Sequence, residues 1–167
     1  MHQICRRSPR SCRLILFASL AKGSATPDYP HALRACQYDT WLQQLVAVWG
    51  GPAGIETFAP SLSNDPKARA WWAGLLRAAS SPGALSGVLQ ALRDTDVRSL
   101  LGGISAPTLV LHRRGDRAVR IGAGRHLGSH IAQARFIELE GADHWAFAGD
   151  QQPILANIKQ FVGGLAE

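Results

Sequence analysis

Three short runs rich in apolar residues, at 13–19, 108–112 and 135–139, most constrain what this chain can fold into. The first two are nearly unbroken rather than alternating, the pattern of strands covered on both faces and so of a parallel sheet. Between the first and the second, from His31 to Asp96, the periodicity is helical and no strand candidate occurs. After Gly102 and Gly103 the pattern changes to strand, helix, strand, helix, with helices expected over 121–131 and 152–162. Strands alternating with helices imply right-handed βαβ units on a parallel sheet. The expected fold class is therefore α/β: a short parallel sheet of about three strands with flanking helices and a helical insertion after the first strand.

The insertion divides at its punctuation. A helix over 33–48 places Tyr38, Trp41, Leu45 and Val48 at spacings of three or four, and Gly50-Gly51-Pro52 stops it. A short helix follows at 55–58. Asp65 before Pro66 is an N-cap with proline at the first helical position, opening a helix through Ala78 that carries Trp71, Trp72, Leu75 and Leu76. Ser81-Pro82 opens another, with Leu85, Val88, Leu89 and Leu92 on one face. Residues 96–101 read as a last helical turn.

A chain of 167 residues, 46% hydrophobic and 18% charged, has the length and composition of one folded domain. Its net charge is +6, but 15 of its 18 cations are arginines scattered along the sequence. No stripe forms for a phosphate backbone, so nucleic acid is not an expected partner. Cys5, Cys12 and Cys36 are odd in number and lack CxxC spacing, which implies neither a disulfide framework nor a zinc site and makes a cytoplasmic setting the default. Arg6, Arg7, Arg10 and Arg13 precede the apolar run from Leu14, and Gly23, Ser24 and Ala25 follow it, the outline of a secretory signal. The same run is equally good as a buried parallel strand, which is the preferred reading, and it is too short to span a bilayer. No membrane is expected as a partner.

Chemistry concentrates just past two strand ends. The segment Pro107-Thr-Leu-Val-Leu-His-Arg-Arg-Gly-Asp116 runs from a strand into a turn that ends on a carboxylate; Ala134-Arg-Phe-Ile-Glu-Leu-Glu-Gly-Ala-Asp-His144 ends on an imidazole. In an open parallel sheet, functional groups gather where loops leave the carboxyl ends of strands. An aspartate there can hold an imidazole in the useful tautomer while the imidazole relays a proton. Gly115 and Gly141 would allow the sharp turns. Alone, a Gly-Asp turn and a loop histidine are ordinary surface features. Their order and matching positions give them meaning.

These segments, with Gly124-Arg-His-Leu127 and Gly149-Asp150, resemble the C-terminal portion of the α/β-hydrolase superfamily. More narrowly they are similar to the esterase-like branch often joined to class III adenylate cyclase domains or helix-turn-helix regulators. Ala21 to Pro30, Phe58-Ala-Pro-Ser-Leu62, Asp65-Pro66 with Trp71-Trp72, and Asp96-Val-Arg98 are similar to that branch as well. The resemblance implies Asp116 as triad acid and His144 as triad base, in the order Ser, Asp, His. It implies a single truncated domain: 13–23 the first strand, 24–98 a helical cap, and 99–167 the strand–helix–strand–helix part with acid and histidine. Trp41, Trp49, Trp71 and Trp72 would then either line an acyl pocket or form the core of the cap. The substrate class would be a small acyl or ester molecule.

The family's nucleophile sits in G-x-S-x-G on a strand-to-helix elbow, and no such motif occurs in this sequence. Gly103-Ile-Ser105-Ala-Pro107 is the nearest miss, but it precedes a strand and ends in proline. Residues 1–8 do not read as the amphipathic helix that would follow a nucleophile. The expectation is hydrolase ancestry with little or no activity in this chain alone, or a non-catalytic acyl-ligand-binding or interaction module. The first strand would leave one edge open to self-association. No metal or cofactor is expected: His126 and His130 sit at i, i+4 without a third ligand, and no phosphate-binding glycine motif appears. Asp143 reads as a turn residue, Asp150 as a helix cap, and Asp28 as a remote alternative to Asp116.

Overall fold

The computed structural model describes residues 13–163. Its sheet has three strands in the order β1 (Leu14–Phe17), β2 (Thr108–Arg113) and β3 (Ala134–Leu139), all parallel. Helices α1 (Ala35–Ala47), α2 (Ile55–Phe58), α3 (Pro66–Ala79), α4 (Pro82–Asp94) and α5 (Arg98–Leu101) lie between β1 and β2. Helix α6 (Ile121–His130) connects β2 to β3, and α7 (Gln152–Gly163) follows β3.

β2 is buried along its whole length because it has a strand on each side and a helix on each face. Alternation divides its side chains. Leu109 and Leu111 pack with Leu139 and with Ile154 of α7. Val110 packs on the other face with Ala123 and Leu127 of α6, joined by Tyr29. Each aliphatic side chain so buried contributes on the order of 1.5–3 kcal/mol. That packing fixes the register, Leu109 against Ile15 on one side and Arg135 on the other. It also fixes which loops meet at the carboxyl edge.

β1 stops at Phe17, short of the 13–19 or 13–23 span that the apolar run suggests. Ala18 takes a φ of 48°, a left-handed conformation that turns the chain out of the sheet. Among the described residues the outer edge of β1 carries no strand. Cys5, Cys12 and most of the basic segment read as a possible signal lie outside the described residues.

The insertion is a layer of helices with its own core. Leu45, Ala53 and Leu76 are buried there with Trp41, Trp49, Trp72, Leu85 and Leu89 around them. Asp65 and Ser81 cap α3 and α4, accepting bonds from the Lys67 and Ala84 amides at 2.8 and 3.2 Å. Val48 and Val88, placed by periodicity on apolar faces, are 57% and 68% exposed. The real stripe is narrower, because α1 and α4 pack on each other mainly through Leu85, Leu89 and their neighbours. At its base the entering and leaving chains are stitched together, Gly23 N–H to the Thr95 carbonyl and Val97 N–H to the Ala21 carbonyl, both at 2.9 Å.

That stitch leaves no room at Gly23, where a Cβ would run into the Leu92 backbone. Gly87, mid-helix in α4, has nothing within 4 Å of an added Cβ. Thermal unfolding should therefore separate the two: Gly23→Ala lowers Tm by several degrees, whereas Gly87→Ala gains about 0.5–1 kcal/mol of stability.

Candidate active site

The acid comes from the turn that closes β2. Asp116 is buried, and its Oδ1 accepts hydrogen bonds from the backbone amides of Ala118 (2.8 Å) and Val119 (3.0 Å). Those bonds fix the carboxylate plane and leave Oδ2 facing two imidazoles. His144 Nδ1 lies at 2.9 Å and His112 Nε2 at 3.5 Å. His112 Nε2 is also 2.8 Å from the Val119 carbonyl, which can only accept, so that nitrogen carries the proton. Burial pushes the Asp116 carboxyl up, but hydrogen bonds from His112, His144 and the Val119 amide outweigh it and hold its pKa down to about 2. The carboxylate is thus ionised wherever the histidine works.

The imidazole comes from the loop after β3, and that loop is clamped from three sides. From the turn after β2, the Arg114 amide donates to the Leu139 carbonyl and the Gly115 amide to the Gly141 carbonyl, at 2.8 and 2.9 Å. Gly141 has a φ of 110° and needs the freedom of glycine; Gly115 is needed for space, since a Cβ there would sit 2.9 Å from the Gly141 carbonyl oxygen. From below, the fully buried Arg113 guanidinium donates to the backbone carbonyls of Asp143 (3.0 Å), Trp145 (3.0 Å) and Asp150 (2.7 Å). From the cap, the Phe58 carbonyl accepts the amides of His144 (2.8 Å) and Trp145 (3.2 Å), and Asp143 Oδ1 accepts the Ser61 amide at 3.0 Å.

With Nδ1 turned to Asp116, the His144 ring lines a cavity of about 340 Å³ between sheet edge and cap. Trp41 lines it too, with Tyr38, Phe58 and Leu89. Trp71 and Trp72 do not. Trp71 is 51% exposed and meets Phe147 edge-on, and Trp72 packs on Trp145 in a separate hollow of the cap core. Trp49 belongs to that core as well, its indole N–H bonded to the Ser80 carbonyl at 3.1 Å. The stripe of α3 faces the contact between α2 and the histidine loop, so helical spacing alone could not distinguish wall from core.

The remaining candidates fall elsewhere. Ser105 is exposed ahead of β2, one strand length, roughly 20 Å, from the carboxyl edge. Asp28 is exposed and paired with Arg98. Asp150 caps α7 through the Gln152 amide at 2.9 Å. His126 and His130 stack on each other, with ring centroids 3.8 Å apart. Among the described residues no group of three or more His, Cys, Asp or Glu is placed to hold a metal ion, and no helix is long and apolar enough to cross a membrane.

Sequence reasoning missed the supporting residues. Arg113 hides in the string Arg113-Arg114-Gly115-Asp116-Arg117, where an arginine looks like a surface charge; only its odd position in the β2 alternation hints at burial. Ser61 and Phe58 act through backbone atoms and leave no side-chain signal.

No family model matches the chain. It is 32% identical over 154 residues to the AB hydrolase superfamily protein YisY of Bacillus subtilis (strain 168), covering 89% of this chain and 56% of that protein. Among solved structures it is similar to the esterase EaEST from Exiguobacterium antarcticum, with a TM-score of 0.75 and 20% identity, covering 90% of this chain and 57% of that one. A hydrolase from Pseudomonas aeruginosa PA01 aligns with a TM-score of 0.68 and 28% identity, covering 90% and 55%. A bromoperoxidase from Bacillus anthracis aligns at 0.77 and 18%, covering 90% and 58%. The chain spans a little over half the length of the relatives it matches. Neighbours called esterase and bromoperoxidase share one fold, so the fold does not fix the reaction.

Two outcomes follow from the geometry. Arg113→Met strands three carbonyls around the histidine loop and should cost about 2–4 kcal/mol in urea unfolding. Asp116 binds its proton at about 2 when folded, against the ordinary value of 3.8, so its contribution is present above about pH 4 and is lost as pH falls toward 2. The stability gap between wild type and Asp116→Asn should shrink over that window by about 2 kcal/mol, read from urea midpoints at successive pH values.

Proposed function

Because the chain belongs to the α/β-hydrolase superfamily, we propose that it carries the acid-and-base part of a carboxylic-ester-hydrolase-like site, with Asp116 as acid and His144 as base. The 2.9 Å contact between His144 Nδ1 and Asp116 Oδ2, at the wall of an apolar cavity, carries this reading. In that pair Nδ1 holds the proton shared with Asp116, which leaves Nε2 as the base. Nε2 would take the proton of an attacking hydroxyl and return it to the leaving alcohol, while Asp116, held ionised, stabilises the imidazolium formed between.

The attacking serine is not supplied by a G-x-S-x-G motif in these 167 residues. Without a nucleophile and oxyanion donors, rates typically fall on the order of 10³–10⁶. The reading is therefore of a chain that is weak or inactive alone. A second reading is that it binds acyl ligands without turning them over; the cavity, whose walls do not require a nucleophile, favours it.

A serine-reactive fluorophosphonate probe should leave this chain unlabelled, and strong labelling would overturn the claim that it lacks a nucleophile. The acid–base pair has its own readout: a low-field imidazole N–H resonance in the proton NMR spectrum, lost in Asp116→Ala and in His144→Gln. Its absence from the folded wild type would overturn the reading of Asp116 and His144 as an acid–base pair.

A further inference from the structure

We propose that the cavity beside His144 takes a small acyl ligand that carries a second carboxylate, such as the half-ester of a short dicarboxylic acid. The inference rests on the cavity being the acyl site and adds the class of acyl group.

The cap side of the cavity is apolar, with Leu33, Trp41, Phe58 and Leu89 among its walls, which suits a hydrocarbon chain. The segment directly after the triad acid forms another wall and contains Arg117 and Arg120. Both are exposed, and neither has a carboxylate partner among the described residues. Carboxylates on neighbouring elements are engaged elsewhere: Asp39 and Asp94 with Arg93, Glu56 with Arg69, Asp28 and Asp96 with Arg98. Asp116 is turned to its two imidazoles. Two arginines without a carboxylate partner in one wall of a concave, largely apolar site add positive potential there. A guanidinium matches a carboxylate with two parallel N–H bonds, a geometry a neutral ester cannot use as well. A volume of about 340 Å³ is near the lower end for ligand sites, which limits the chain to a few carbons.

The test titrates the full chain with monomethyl adipate and, separately, with methyl hexanoate, followed by tryptophan fluorescence and by calorimetry. Monomethyl adipate should bind about tenfold more tightly, an advantage that shrinks as salt rises. Arg117→Gln with Arg120→Gln should abolish the difference and leave methyl hexanoate unchanged, with circular dichroism confirming that the variant is folded. Inorganic phosphate, which has the charge without the chain, should not compete. Equal affinities for the two esters, an advantage that survives in the double variant, or displacement by phosphate would each overturn the proposal. Binding of methyl hexanoate would still leave the acyl site standing, and the imidazole resonance reports on the acid–base pair independently of either ligand. Absence of binding by both esters overturns the inference outright.

Discussion

Arg113 takes a full positive charge to a position that is 1% exposed, with no carboxylate within salt-bridge distance among the described residues. Removing such a charge from water costs several kcal/mol, and here the offset comes from three backbone carbonyls and the Phe17 ring, 5.8 Å from the guanidinium carbon. Those carbonyls belong to residues 143, 145 and 150, so one side chain on the central strand spans the whole loop that presents His144. The acid and its imidazole meet because β2 and β3 are neighbours in register. This guanidinium, with the backbone bonds from the turn after β2 and from Phe58 and Ser61, holds the loop that keeps them within hydrogen-bond distance.

His112 adds a second layer of order beneath the acid. It is fully buried, with Nε2 directed to both the Val119 carbonyl and Asp116. Its other ring nitrogen has no partner among the described residues and lies against Gly124 of α6, where any side chain would collide with the ring. A glycine on the helix, a histidine on the strand and an aspartate in the turn thus form a stack in which each determines the position of the next. This arrangement explains why a carboxylate with almost no solvent contact remains ionised: fixed N–H groups replace the water it has lost.

Much of this was legible beforehand. The three strands, the cap helices and their proline-marked starts follow from periodicity and capping, which are local properties of the chain. Asp116 and His144 were legible because the ends of parallel strands are where side chains must converge. What escaped was nonlocal. Whether Trp41 lines the cavity while Trp71 faces outward depends on how α1 and α3 roll against the rest of the molecule, which helical spacing cannot tell. The end of β1 at Phe17 depends on one left-handed alanine within a run whose hydrophobicity continues past it. Arg113 looked like one more loop cation because burial of a charge is decided by backbone carbonyls far along the sequence.

The Phe58 carbonyl receives the amides of both His144 and Trp145, while Ser61, three residues further on, is tied to Asp143. The stretch of cap that includes α2 is thereby welded to the very residue that would transfer protons. It cannot swing away as a hinged door without tearing the imidazole from its seat. Phe58 also lines the cavity, so the bonds that seat the imidazole fix that part of the cavity wall with it.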